Sequence, residues 1–267
     1  MRVPPAAFLV FLAACLVVAA PPSRAAVVEP DVPVEEIIER FIDKETEFSQ
    51  AREAYIYRHS VKILEYSNSG SVRGRWEMVQ DVLFDADSKR VEKVIFAPPS
   101  SLKNIVLTPE DLEDLRSVQP FVMTRENAHE YRIDYLGEQR VDEIDTYMFS
   151  VKPKQLVKGK RYFEGQIWVD QIGLQIVKTY GKGVGKTDAK KDHQFPRFET
   201  YRDQIDGEYW FPVYTRADDT LPFRSGPQKI RMIIKYENYK KFLGTSTITF
   251  GDVVEEDGQP GGEQPQP

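Results

Sequence analysis

The stretch YIYRHSVKILEY, Tyr55 to Tyr66, is where the hydrophobic period of the chain changes. Tyr55, Tyr57, His59, Val61 and Ile63 alternate with the more polar Arg58, Ser60 and Lys62, which is the two-residue repeat of a strand with one buried face. The residues before it, VEEIIERFIDKETEFSQAREAY from Val34, place Val34, Ile37, Ile38, Phe41, Ile42 and Phe48 at helical spacing with Glu and Arg opposite. One amphipathic helix therefore opens the domain, and it needs an apolar surface to lie on.

After Tyr66 the strand rhythm continues almost to the end. RWEMVQDVLF puts Trp76, Met78, Val82 and Phe84 on one face; RVEKVIFA follows the turn signal at Asp85 to Ser88; EYRIDYL alternates Tyr131, Ile133 and Tyr135 with Arg132 and Asp134. DTYMFSVKP, RYFEGQIWVD, LQIVKTY, RFETYRDQI, YWFPVYTRA and KIRMIIKYENY come next, separated by turns such as Asp206-Gly207. About ten strands in series predict a locally paired, strongly curved antiparallel meander and not a βαβ fold. Thr108-Pro109-Glu110-Asp111 interrupts it with an N-cap, a proline at the first helical position and acids in the first turn, predicting a short helix over PEDLEDLRSV. The expected class is α+β, mostly β: an incomplete barrel with the first helix and the inserted helix over its concave side.

The 267 residues are 41% hydrophobic and 12% aromatic with net charge -6, a composition that folds and carries no overall basic footprint for nucleic acid. Arg2, the apolar run Ala6 to Ala20 and the small-x-small site Ser23-Arg24-Ala25 read as an export signal over residues 1–25. The run is shorter than the ~20 residues of a spanning helix. The expected division is then a folded domain at 26–245 and an acidic disordered tail at 246–267, in the periplasm. Cys15, the only cysteine, sits in a sequence resembling a lipoprotein processing box, so anchoring by a lipid at Cys15 is the alternative.

Little else suggests chemistry. GKGVGKT, Gly181 to Thr187, lacks the P-loop's first glycine, since Tyr180 stands five residues before Gly185. Gly181, Gly183 and Gly185 with Lys182, Lys186, Lys190 and Lys191 read as an exposed hairpin loop. His59, His129 and His193 are too scattered for a metal site, and His59 falls in an apolar stripe as a hydrogen-bonded core histidine. No Gly-x-Ser-x-Gly is present, and pairs such as Asp218-Asp219 are inevitable among 42 acids. No catalytic residue, cofactor or metal is expected.

What stands out is apolar excess on both faces of strands such as YWFPVY. Covering helices and loops explain it, and so does a concave surface that encloses an apolar ligand. With the block RYFEGQIWVDQIGLQIVKTYGKGV and FPRFETYRDQIDGEYWFPVYTRADD in place, the order of elements from about Val34 to Phe242 resembles the LolA/LolB-like periplasmic lipoprotein-carrier family, the outer membrane lipoprotein-sorting proteins. Gly165-x-x-Trp168-Val169-Asp170 leading to Leu174-x-Ile176-Val177-Lys178 carries the likeness. The resemblance implies an antiparallel barrel closed by helices around acyl chains of a lipoprotein or another envelope lipid, with partner proteins at the inner and outer membranes. Such carriers latch their lid with an arginine, which no motif aligns to Arg52, Arg58 or another arginine here.

On the apolar stripes, the expected cavity lining is Tyr57, Val61, Trp76, Met78, Val82, Tyr131, Ile133, Ile167 and Met232. Ile37, Phe41 and Phe48 are the expected lid. Carrier, anchored acceptor and lipid sensor stay open within this fold. A docking module of the envelope is the alternative, and an uncharacterised hydrolase the third reading.

Overall fold

The computed structural model describes residues 30–85, 88–186, 195–223 and 226–241. Residues 1–25 with Cys15, Lys190, Lys191, His193 and the tail 246–267 lie outside these. Helix α1 (Val34–Ala51) buries Ile37, Phe41 and Phe48 on one stripe, as its period requires. Ten strands follow: β1 (Tyr55–Tyr66), β2 (Val72–Phe84), β3 (Arg90–Phe96), β4 (Tyr131–Val141), β5 (Ile144–Pro153), β6 (Arg161–Asp170), β7 (Ile176–Gly185), β8 (Phe198–Gln204), β9 (Trp210–Phe223) and β10 (Gly226–Lys241).

All ten pair antiparallel in the order β3-β2-β1-β10-β9-β8-β7-β6-β5-β4. Contrary to the expected meander, pairing is not local throughout: β1 and β10, the first and last strands, are neighbours, with Val61 opposite Ile234. The consecutive strands β3 and β4 are the two edges instead. The meander is circular and is cut open where the chain between β3 and β4 leaves the sheet.

That insert holds α2 (Pro109–Glu113), a π-helical turn over Asp114–Val118, and α3 (Arg125–Ala128), where the sequence predicted one helix. Thr108 caps α2 as expected, its backbone N–H donating to Asp111 Oδ2 at 2.7 Å while its hydroxyl accepts from Asp111 N. The insert also reveals the curvature. Arg116 Nε donates to Glu92 of β3 at 3.2 Å, and Asp114, two residues away, accepts from Arg161 of β6 at 2.6 Å. In a flat sheet those strands, seven steps apart, would stand about 34 Å from each other at about 4.8 Å per step. The sheet must wrap around the insert.

One core fills the inside of the wrap, joining Ile37 and Phe41 of α1 and Leu115 and Val118 of the insert to Val61, Ile63, Phe149, Val151, Ile167, Met232 and Ile234 of the sheet. The Gly181 to Gly185 segment is no exposed loop, contrary to expectation: it is the end of β7, with Gly181 and Gly183 buried. A side chain on Gly165 would lie 2.6 Å from Gly181 Cα, and one on Gly181 would lie 2.7 Å from the Phe163 ring. The glycines let two backbones close up and give Phe163 room to lie inside.

Candidate functional site

The candidate site is the covered interior. Register places the expected lining on its inner face: Val61 faces Met78 on one side, Ile63 faces Trp76 on one side and Met232 on the other, and Tyr57 faces Val82. Across the barrel, Ile133 pairs with Val151 and Ile167 with Phe149, whose ring meets Phe41 of α1 at 5.4 Å. Val61, Val82, Tyr131, Ile167 and Met232 are buried, while Tyr57, Trp76, Ile133 and Met78 are half-buried. Ile37 and Phe41 of the expected lid plug the main core, and Phe48 joins a second cluster with Tyr55, Val122 and Phe211. The protein's own side chains occupy most of this interior, leaving a cavity of about 50 Å³ among Ile63, Leu107, Leu115, Ile230 and Met232.

Two buried ion pairs fasten the covers. Glu45 continues the stripe of Ile37, Phe41 and Phe48, so α1 drives a carboxylate into the barrel. Arg202, at an inward position of β8 with Phe198 and Thr200, meets it: Nη1 donates to Glu45 Oε1 at 2.9 Å and Nη2 to Oε2 at 3.1 Å. Glu45 also accepts from the Ile176 N–H at 3.0 Å, and Arg202 donates to the Phe121 carbonyl of the insert. One guanidinium thus ties α1, the insert and the sheet together.

The second clamp is Arg161 on Asp114, with Nε to Oδ1 at 2.7 Å and Nη2 to Oδ2 at 2.6 Å. Burial pushes the Asp114 carboxyl up to about 6, against the pull of Arg161. Phe121 of the insert stacks on Phe163 at 4.6 Å, in the space the glycines leave. Beside this clamp a cleft of about 630 Å³ opens outward between the insert and β4 and β6, bordered by Val118, Phe121, Tyr131, Lys160 and Phe163.

His59 is buried in the sheet with Nδ1 3.3 Å from Gln80 Nε2, as the sequence predicted, and its ring lies 5.1 Å from that of Tyr236. His129 is exposed. Among the described residues no group of three His, Cys, Asp or Glu side chains is placed to hold a metal ion, and no helix is long and apolar enough to cross a membrane. Sequence reasoning missed Glu45, Asp114, Arg161 and Arg202. Only Glu45 left a trace, as a charge on an apolar stripe.

No protein-family model matches the sequence, and no curated protein does. Several solved structures are similar to it. They include a LolA superfamily protein from Nitrosomonas europaea, 17% identical with a TM-score of 0.34 over 78% of this chain and 93% of that one. A DUF1329 family protein from Desulfovibrio piger is 16% identical with a TM-score of 0.36, covering 78% and 95%. An outer membrane lipoprotein-sorting protein domain from Vibrio parahaemolyticus is 11% identical with a TM-score of 0.35, covering 79% and 95%. Similarity this distant decides nothing about function.

Proposed function

We propose that the chain binds acyl chains of a lipoprotein or another envelope lipid without catalysis, shielding them in the wrapped sheet while they cross the periplasm towards the outer membrane. The observation that carries this is an apolar interior covered by α1 and the insert, which are not strands of the sheet. α1 and the insert close the barrel with apolar side chains and the two buried clamps, and the insert bonds to the sheet as well through the Ser101 N–H on the Arg75 carbonyl at 2.9 Å and the Lys103 and Asn104 N–H groups on buried Glu65. Binding exchanges side chains for ligand: as α1 and the insert withdraw Ile37, Phe41, Phe48 and Leu115, the acyl chain takes their place against the inward residues named above. Each CH₂ removed from water contributes about 0.8 kcal/mol, so part of one chain offsets the loss of a clamp. Release follows when a partner protein offers the chain a better cavity.

The test is to express the chain from Ala26, purify it without detergent, and combine native mass spectrometry with lipid extraction. A near-stoichiometric acyl species is expected. An empty protein that also ignores added fluorescent fatty acid would exclude the carrier reading. The docking-module reading has its own support in β3, an edge strand on which Val94, Ile95 and Phe96 are 56%, 48% and 51% exposed. An empty protein would leave that edge as the functional surface.

A further inference from the structure

Direct cross-strand partners share a face of the sheet, and one inward row crosses the barrel through such partners. It runs from Ile167 of β6 through Thr179 of β7, Thr200 of β8 and Thr215 of β9 to Ile234 of β10 and Val61 of β1. All six are buried. Three adjacent threonines thus interrupt an apolar wall. Valine is branched in the same way, so packing alone does not call for them.

One acceptor fixes the direction of their hydrogen bonds. Thr200 Oγ1 donates to the Gln119 carbonyl of the insert at 2.8 Å, and a carbonyl can only accept. Thr200 has then spent its proton, so in its contact with Thr215 Oγ1 at 2.8 Å it accepts, and Thr215 in turn accepts from the Tyr236 hydroxyl at 3.2 Å. Every proton of the chain points towards the insert. Without Gln119 its last donor, Thr200, has no acceptor. Thr179, the direct neighbour of Thr200, is already in that state: it is 1% exposed and its hydroxyl has no hydrogen-bond partner among the described residues. An unpaired hydroxyl in an apolar interior is costly, and an acceptor relieves it. Gln119 is itself poorly satisfied where it lies. Its side-chain Oε1 is buried without a partner, and its Nε2 donates to Met232 Sδ, a weak acceptor, at 3.5 Å.

We propose that Thr200 and Thr179 form a carbonyl subsite for an acyl ester or amide, whose place the Gln119 carbonyl holds in the closed molecule. The ligand's carbonyl oxygen accepts from Thr200 through one lone pair and from Thr179 through the other, two side chains about 5 Å apart as direct cross-strand partners. Space for it comes from the withdrawal of the insert, so the subsite rests on the acyl-binding function proposed above. A ligand without a carbonyl leaves both hydroxyls unpaired. The row therefore selects linked acyl chains over bare hydrocarbon.

The test uses the full chain with methyl decanoate, N-methyldecanamide and decane, titrated separately and followed by tryptophan fluorescence. Thr179→Val decides, because it removes a hydroxyl that bonds nothing in the closed molecule. Its urea midpoint is expected to rise while its affinity for ester and amide falls about fivefold and that for decane holds. Thr200→Val should cut the preference for ester over decane by about the same factor, a ratio that does not depend on how readily the insert opens. With ¹³C at the ester carbonyl, the C=O stretch of the bound ligand is expected at lower frequency in the wild-type chain than in the variant carrying both valines. A fall confined to the ester or to the amide keeps the subsite and says which linkage it takes. If no ligand binds the wild-type chain, the acyl-binding function fails and the subsite with it. If ligands bind and the valine variants move all three affinities equally or not at all, the function stands and the subsite is overturned.

Discussion

Gly183 of β7 has no room for a side chain. A methyl group there would overlap Asp114 Oδ2 and lie 2.8 Å from Arg161 Nη2, so Gly183→Ala drives the carboxylate off its guanidinium. A loss of about 3 kcal/mol is expected from urea unfolding, the overpacking and the broken buried pair acting together. An unchanged midpoint would mean that Asp114 has another place to bond. The same carboxyl sets a pH dependence. Burial, helped by Arg90, lowers the pKa of His59 from 6.5 to about 3, so only the unfolded chain takes its proton in that range, and stability is lost as pH falls from 6.5 towards 3. Asp114 has the opposite sign: its folded pKa is raised from 3.8 to about 6, so stability is gained as pH falls through that window. Between pH 6 and 4 the two offset each other, each by at most about 1.4 kcal/mol per pH unit. Asp114→Asn should therefore steepen the acid-side loss by up to about that slope, read from urea midpoints at pH 6, 5 and 4. An unchanged slope would show that Asp114 titrates like an ordinary carboxyl.

At the scale of elements, α1 is held by its apolar stripe and by Glu45 on Arg202. Arg202→Met leaves the Glu45 carboxylate buried with the Ile176 N–H as its remaining donor, at a cost of about 4 kcal/mol. Glu45→Met with Arg202→Met should recover most of that, because paired charges and paired apolar groups are close in stability while a lone buried charge is not. A double variant no more stable than the single one would mean that the two side chains do not act as a unit. Much of this level was legible in the sequence. The period change at Tyr55, the alternation of the ten strands and the cap at Thr108 each have a local cause in side-chain spacing. The Gly181 to Gly185 strand was not legible, because alternation is a pattern of side chains and these residues act by lacking them. The clamps were hidden for a different reason. Among 42 acids and 36 bases, which acid meets which base depends on the wrap of the sheet, and nothing in the neighbourhood of Asp114 or Arg161 announces it.

For the whole molecule, the decisive contact is β1 on β10, which no run of hairpins implies. Hairpins from β4 to β10 form between neighbours, whereas β1 has to wait for the end of the sheet. Ile167→Val, within the β5-β6-β7 hairpins, and Ile234→Val, opposite Val61, should each cost about 1 kcal/mol. The first is expected to slow folding, and the second mainly to speed unfolding, in denaturant-dependent kinetics. Equal partition at both positions would remove the order of assembly inferred here. The same pairing also governs how the molecule responds to force. Tyr55, where β1 begins, lies opposite Lys241, where β10 ends, and the hydrogen bonds between the two strands run away from that end. Tension applied between those two residues loads the bonds one after another from the same end, as a zip is opened, and never all at once. The barrel is mechanically soft along that line, and a pull there parts the sheet directly beneath the end of α1.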